Sequence, residues 1–192
     1  MTHGYIFKTC FHPGEKMKHA ANHEVGPRST NLLGAFVLAA GHELQSVTER
    51  AASHTASGPS ALTALATWPG LSLDGLRKTL GISQPGVVRL VDRLAADGLV
   101  SRNPGPDGRT RALHLTDRGR EVAQEVLEAR EAAMAAICAP LEPAEREQLT
   151  ALLERVLEGL PSDRGEAHFL CRLCDHEACA DPYCPVDRGV PE

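Results

Sequence analysis

Residues 76–94 read LRKTLGISQPGVVRLVDRL, and their pattern determines the architecture of the chain. Apolar side chains recur at helical spacing on both sides of Gly81, which predicts two helices that meet at a turn and share a core. Ser83 is predicted to cap the second helix, and Pro85 is tolerated there because the first turn has no intrahelical N–H partners to lose. The shared core is predicted to consist of Leu76, Leu80, Ile82, Val87, Val91 and Leu94.

The second helix leaves a polar face that suits the major groove of DNA. Gln84 can hydrogen-bond a base edge, Gly86 lets the backbone approach closely, and Arg89 can reach guanine or phosphate. The helix N-terminus itself attracts phosphate. For Arg93 an ordinary solvated or ion-paired role is as compatible as a phosphate contact. The predicted DNA-binding residues on this helix are Ser83, Gln84, Pro85, Gly86, Arg89 and Arg93.

Two short segments of strand character follow, Leu99–Arg102 and Ala112–Leu115, separated by a loop rich in Gly, Pro and Asp. This pattern predicts a β-hairpin, which forms a wing beside the two helices. Arginine at a wing tip has the size and charge for a narrow minor groove, so Arg109 and Arg111 join the predicted DNA-binding residues. Asp107 is predicted to orient the guanidinium of Arg109.

Helical patterns flank this region on both sides. A long helix is predicted from Thr30 to a break at Ser57-Gly58-Pro59, and a short one, capped by Ser60, ends near Trp68. After the wing, Thr116 is predicted to cap another long helix and Glu142 to open the last. The predicted fold class is mainly α, a winged helix-turn-helix with a three-helix core plus β-hairpin wing, and long flanking dimerisation helices. The predicted divisions are a poorly ordered extension (1–28), dimerisation helices (29–57 and 117–160), the DNA-binding domain (58–116) and a metal-binding tail (161–192).

Charge is unevenly distributed along the 192 residues, whose net charge is −5. Residues 72–120 hold nine Lys and Arg against five acids, whereas residues 121–166 hold eleven acids against four Arg. This gradient indicates that the predicted DNA-binding domain (58–116), called the head below, attracts an anion and is attached to an acidic scaffold. It does not indicate a protein whose whole surface coats nucleic acid. No apolar run is long enough to cross a bilayer and no cleavable signal is present, so we expect a cytoplasmic protein without a membrane partner.

Enzymatic function is not expected. His42, His54 and His114 lie on predicted helices or a strand, and no acid–nucleophile constellation stands at a recognisable spacing around them.

Several motifs in combination resemble the MarR family of multiple-antibiotic-resistance-type regulators. They are the 83–94 helix, Asp97–Arg102, Asp107-Gly108-Arg109 and Leu115–Gly119, and the helix order is similar from about Thr30 to Leu160. The resemblance implies a homodimer on a pseudopalindromic DNA operator, and usually repression relieved by a ligand. It also implies base or backbone contacts from Gln84, Pro85, Gly86 and Arg89, and a minor-groove contact from Arg109. The family does not generally carry the extension before Thr30 or the cysteine-rich tail.

Four of the six cysteines stand close together in that tail, in the pattern Cys171-x2-Cys174-x4-Cys179-x4-Cys184. The spacing is similar to the retroviral-type zinc knuckle, with cysteine in place of its histidine, and four thiolates in a short loop suit tetrahedral zinc. An iron–sulfur cluster is the alternative cofactor, since Cys184-Pro185 looks like the end of a ferredoxin motif; disulfides or free thiols are a third reading. His168 or His176 can replace one cysteine. Few apolar residues remain in the tail, so metal is expected to be needed for its folding.

Regulation and partners stay open at this stage. One hypothesis is redox or metal sensing, in which oxidation of the thiolates releases the ion and alters the dimer helices that Pro161 joins to the tail. Another is a small-molecule effector pocket where the first helix meets the DNA-binding head, near His42, Leu65 and Trp68. The alternative function is a zinc-dependent RNA-binding or adaptor module, since knuckle-like sites often contact RNA.

Overall fold

The computed structural model describes residues 26–104, 111–179 and 184–191. The described residues divide into two units, 26–36 and 37–191, and the division falls within the first helix. None of the described helices is sufficiently long and apolar to span a membrane. The elements in order are α1 Pro27–Ala52, α2 Gly58–Thr67, α3 Leu73–Leu80, α4 Gln84–Ala96, β1 Val100–Pro104, β2 Arg111–Leu115, α5 Asp117–Cys138, α6 Pro143–Glu158, α7 Arg164–Cys171 and α8 Pro185–Arg188.

The helix-turn-helix forms as the sequence predicts, with both helices capped by serine. The Ser72 hydroxyl accepts a hydrogen bond from Gly75 N at 3.1 Å, and the Ser83 hydroxyl accepts one from Gly86 N at 3.3 Å. Between α3 and α4, Gly81 has φ +64°, a left-handed conformation that glycine adopts without strain. The turn therefore closes at the residue that most readily permits it.

The core of the head is continuous from α1 through α5. The predicted residues Leu76, Val87, Val91 and Leu94 are fully buried, and Leu80 nearly so, while Ile82 packs at the edge of the cluster. Helix α2 contributes Ala61, Leu62, Ala64 and Leu65, and the far side is closed by Leu99, Val100, Leu113, Leu115, Ala123 and Val126. Because one face of α4 is buried in this core, its other face is presented outward on a packed base.

The wing is an antiparallel hairpin anchored to the α2–α3 connection. Val100 pairs with Leu115 and Pro104 with Arg111 in the β1–β2 register. On its other edge β2 bonds a third segment, because Leu113 N donates to Leu71 O at 2.9 Å and Gly70 N donates to Leu113 O at 2.9 Å. Hydrogen bonding on both edges of β2 fixes the base of the wing against the head.

Helix α5 begins where its first turn packs closely against the backbone before the wing. Thr116 Oγ1 donates to Gly98 O at 2.7 Å and accepts from Gly119 N at 3.0 Å. A Cβ placed on Gly119 would lie 2.0 Å from the carbonyl oxygen of Leu99, so only glycine fits there.

Several predicted boundaries differ from the structure, and three of them concern the starts of α1 and α2 and the end of β1. Helix α1 begins at Pro27 rather than Thr30 because proline is readily placed in a first turn, and its first residues had been assigned to the extension. Helix α2 begins at Gly58 with Ser57 in the cap position, so Ser60 is not its cap and the Gly–Pro pair is the start of the helix rather than a break. Strand β1 continues to Pro104, two residues beyond the prediction.

The tail contains two short helices and a small apolar cluster. Helix α7 and the short α8 enclose an apolar cluster of Ala167, Cys171, Cys184 and Val186, against which Leu157 of α6 packs. Two of the four buried residues of this small cluster are the predicted ligands Cys171 and Cys184, so the expectation that the tail needs metal to fold stays a prediction.

Candidate DNA-binding surface and cysteine cluster

Helix α4 presents the predicted contact residues to solvent. Gln84 and Pro85 are exposed in its first turn, Gly86 is half-buried beneath the Ser83 hydroxyl, and Arg89 is exposed one turn further on. Arg93 is exposed one turn beyond Arg89. The arrangement is that of a helix able to lie in a major groove with its N-terminal residues at the base edges.

The wing is linked to α4 by an ion pair. Arg102 of β1 contacts the Asp92 carboxylate of α4, so its charge is engaged within the head rather than free for phosphate. Arg111 is exposed at the start of β2, opposite Pro104. Asp107 and Arg109, the other predicted wing residues, lie outside the described residues, and their roles remain predictions.

The predicted effector-pocket residues are not brought together as a cavity lining. His42 is exposed on α1, Leu65 is buried in the core, and Trp68 faces the tail. A cavity of about 670 Å³ does lie where the end of α1 meets α4 and α5. The buried His54 lines this cavity, and its Nε2 lies 3.2 Å from the Asp97 carboxylate. The cavity is therefore lined by other residues than the three predicted.

Three thiols of the tail form one cluster. The Cys171, Cys174 and Cys184 side chains pack in one cluster, which places the end of α7 beside the start of α8. Cys179 is exposed, near enough to interact electrostatically with Cys174 and Cys184. Cys138 is half-buried on α5 and belongs to a different element. Among the described residues, no three His, Cys, Asp or Glu side chains are already arranged around a single point as metal ligands.

One thiol of the cluster favours its ionised form. The hydrogen bond with Cys171 lowers the pKa of Cys174 to about 6, and the charges of Arg130 and Arg172 act in the same direction against burial. The same hydrogen bond, with burial, raises the pKa of Cys171. The thiolate is the form of cysteine that binds thiophilic metal ions and reacts with oxidants.

The tail also makes contacts that sequence reasoning missed. Phe169 of α7 packs on Gly81 in the helix-turn-helix, and Thr63 Oγ1 of α2 donates to Arg172 O at 2.7 Å. The Trp68 ring lies 4.8 Å from that of His168 and 4.9 Å from that of His176, measured between centroids. These two histidines therefore make tilted and edge-on aromatic contacts with Trp68 of the head.

A sequence signal for α7 was present. Asp163 is followed three residues later by Glu166, a pattern typical of a helix N-terminus. In the structure the Asp163 carboxylate accepts from Glu166 N at 2.8 Å. The contact partners on the head are about a hundred residues away, and no local pattern indicates them.

Comparison with known proteins identifies relatives for the head. Residues 59–110 match the family model described as the MarR family. The HTH-type transcriptional regulator PetP of Rhodobacter capsulatus is 32% identical over 102 residues, which are 53% of this chain and 59% of that protein. The similarity to PetP thus spans little more than half of each protein.

Solved structures extend the likeness in fold. MepR, a transcription regulator of the Staphylococcus aureus multidrug efflux pump MepA, has a TM-score of 0.61 at 20% identity, over 69% of this chain and 98% of that one. A MepR mutant bound to an oligodeoxyribonucleotide has a TM-score of 0.53 at 19% identity, over 69% and 97%. The predicted mainly α, winged helix-turn-helix fold is confirmed.

Proposed function

We propose that this chain is a MarR-family transcription regulator that binds duplex DNA in a sequence-specific manner through α4 and the wing. The observation that carries the proposal is the outward presentation of Gln84 and Arg89 on a helix whose opposite face is fully buried. Such a helix can enter a major groove without distortion of its own core. The matching family and the similar structures are regulators and not enzymes.

We further propose that the protein acts as a homodimer. Exposed apolar side chains are concentrated on the flanking helices, outside the head, and a second copy of the chain is the occupant that would cover them while supplying a second DNA-binding head. A twofold pair of heads suits a pseudopalindromic operator. The exposed residues are Leu32, Leu33, Phe36, Val37 and Leu38 on α1, Leu152, Leu153 and Val156 on α6, and Leu160 just after it.

Zinc is the cofactor we propose for the tail. The chemistry of the donor set fits the ion, since four thiols from a short segment are the ligands that structural zinc prefers and three of them lie in one cluster. Binding requires the exposed Cys179 to turn toward the other three. An iron–sulfur cluster uses the same donors, and an absorption spectrum with elemental analysis of anaerobically purified protein distinguishes the two.

A small-molecule effector, if the protein responds to one, would fit the cavity beside His54. This site touches both α1 and α4, so a bound molecule would influence the dimer helix and the recognition helix together. A thermal-shift screen on the wild type and His54→Leu tests it: a compound that raises the Tm of both proteins equally binds elsewhere. As a regulator of transcription, the protein is expected to act in the cytoplasm.

The direct test of the proposed function is selection from a library of random duplexes, carried out with the zinc-loaded full-length protein. We expect enrichment of a sequence with two related half-sites, bound more weakly as salt is raised. Single-stranded RNA serves as competitor, because the zinc-dependent RNA module is the alternative. Preference for that RNA over every duplex would overturn the proposal in favour of the alternative.

A further inference from the structure

We propose that the four-cysteine tail is a joint between the DNA-binding head and dimerisation helix α6, and that zinc bound by its thiols raises the affinity for DNA. The inference rests on the proposed function and adds its regulation. It differs from sensing through Pro161 alone, because the tail holds the head by direct contact.

The first half of the joint covers the helix-turn-helix. A Cβ placed on Gly81 would lie 3.0 Å from the Phe169 ring, so the ring rests directly against the turn. The Arg172 guanidinium lies 3.9 Å from the centroid of the same ring, and the Arg172 carbonyl accepts the hydrogen bond from Thr63. The turn that sets the angle between α3 and α4 is thus contacted on one side by α7, only a few residues from Gln84, although Gly81 and Phe169 both stay partly open to solvent.

Aromatic contacts also connect α7 and the residues after it to α2. Trp68, at the end of α2, contacts both His168 and His176, which lie on either side of Cys171 and Cys174 in the sequence. His176 Nε2 also lies 3.4 Å from the carbonyl oxygen of Cys171. The backbone that carries the first two thiols is therefore held against the head by aromatic contacts.

The second half of the joint holds α6. A Cβ placed on Gly189, just after α8, would lie 2.0 Å from the carbonyl oxygen of Glu158, so the two backbones touch where α6 ends. Arg188 pairs with the Glu158 carboxylate at 3.6 Å. Between the two halves, Arg164 of α7 pairs with Asp187 of α8 at 2.8 Å.

The thiols occupy the junction of these halves. Cys171 is the last residue of α7 and Cys184 directly precedes α8, so an ion bound by both would fix the geometry between α7, which contacts the turn, and α8, which contacts α6. Apart from the ion, the described residues join α7 to α8 through a small apolar cluster and the exposed Arg164–Asp187 ion pair, and an exposed pair contributes little stability. Since α6 is a proposed dimer element, the joint determines how the head is oriented on the dimer. The zinc-bound and zinc-free forms should therefore orient the two heads differently and bind DNA with different affinities.

The experiment measures DNA affinity with and without zinc. The full-length chain is loaded with zinc or stripped with a chelator under reducing conditions, and the dissociation constant is measured for the duplex enriched by the zinc-loaded protein. We expect zinc removal to weaken binding by at least about tenfold, within the usual range of coupling between sites.

Two variants separate coupling from zinc binding. Phe169→Ala removes the contact with the turn and leaves every thiol in place, and Thr63→Val removes the hydrogen bond from the head side without altering the tail. Both are expected to retain zinc while their affinity responds to it less than that of the wild type. Glu177→Ala, an exposed change in the same tail, is the matched control and is expected to respond fully.

The outcomes are distinguishable. Affinity that is unchanged on zinc removal, a wild-type chain that holds no zinc, or a full zinc response in Thr63→Val and in a zinc-retaining Phe169→Ala would each overturn the inference. If no duplex is enriched at all, the proposed function fails and this inference with it. If a duplex is enriched but zinc has no effect on it, this inference alone fails.

Discussion

Dimerisation through α6 can be weakened by a calculable amount. Leu153 and Val156 are 45% and 58% exposed, although both are apolar and one turn apart on the helix. Full burial of such a side chain stabilises by roughly 1.5–3 kcal/mol, so about 1 kcal/mol remains to be gained at each. In a twofold interface every residue occurs twice. The double variant Leu153→Ala/Val156→Ala should therefore weaken the dimer by about 4 kcal/mol, or roughly a thousandfold.

Sedimentation equilibrium over a range of concentrations measures this change. We expect the variant to populate monomer at concentrations where the wild type is dimeric, with an unchanged helical circular dichroism spectrum because neither side chain belongs to the buried core. Glu147→Ala, an exposed polar change on the same helix, is the control and should sediment as the wild type does. A double variant as dimeric as the control would refute the reasoning that these apolar residues are covered by a second copy.

Three further predictions concern the head and the tail. Gly119→Ala places a Cβ against the Leu99 carbonyl and should lower the free energy of unfolding by about 3 kcal/mol, measured in urea; an unchanged midpoint contradicts the close approach. Thr116→Ala removes the α5 cap and should cost about 1–2 kcal/mol in the same assay, whereas Thr116→Ser should restore most of it. Cys174→Ser should weaken zinc binding by roughly a hundredfold, and Cys138→Ser should not; equal losses would mean that the effect is on folding.

The head was predictable because its signals are local. The serine caps, the glycine in the turn and the apolar spacing of α3 and α4 each lie within a few residues of the feature they determine. Local pattern alone misplaces the start of α2. Gly58-Pro59 is typical of a break between helices unless it is considered together with Ser57, which occupies the N-cap position. Proline in a first turn was recognised in α4 and overlooked at Pro59.

The tail's role was not predictable from local pattern. Its thiol spacing indicates a metal site, yet its contacts join residues separated by about a hundred positions, as Thr63 and Arg172 are. The sequence places Trp68 near a predicted effector pocket, with core packing as its alternative role. In the structure its ring contacts those of His168 and His176, and no local pattern pairs these residues.

The most direct test of DNA reading by α4 is the affinity of Arg89→Ala for the enriched duplex, compared with Arg146→Ala on α6. If Arg89 contacts DNA, its loss should cost roughly 1–3 kcal/mol at each half-site, so the dimer should bind at least about tenfold more weakly while its thermal unfolding is unchanged. Arg146→Ala should bind as the wild type does. An Arg89→Ala protein that binds the duplex with wild-type affinity and selectivity would contradict the account that α4 reads the DNA.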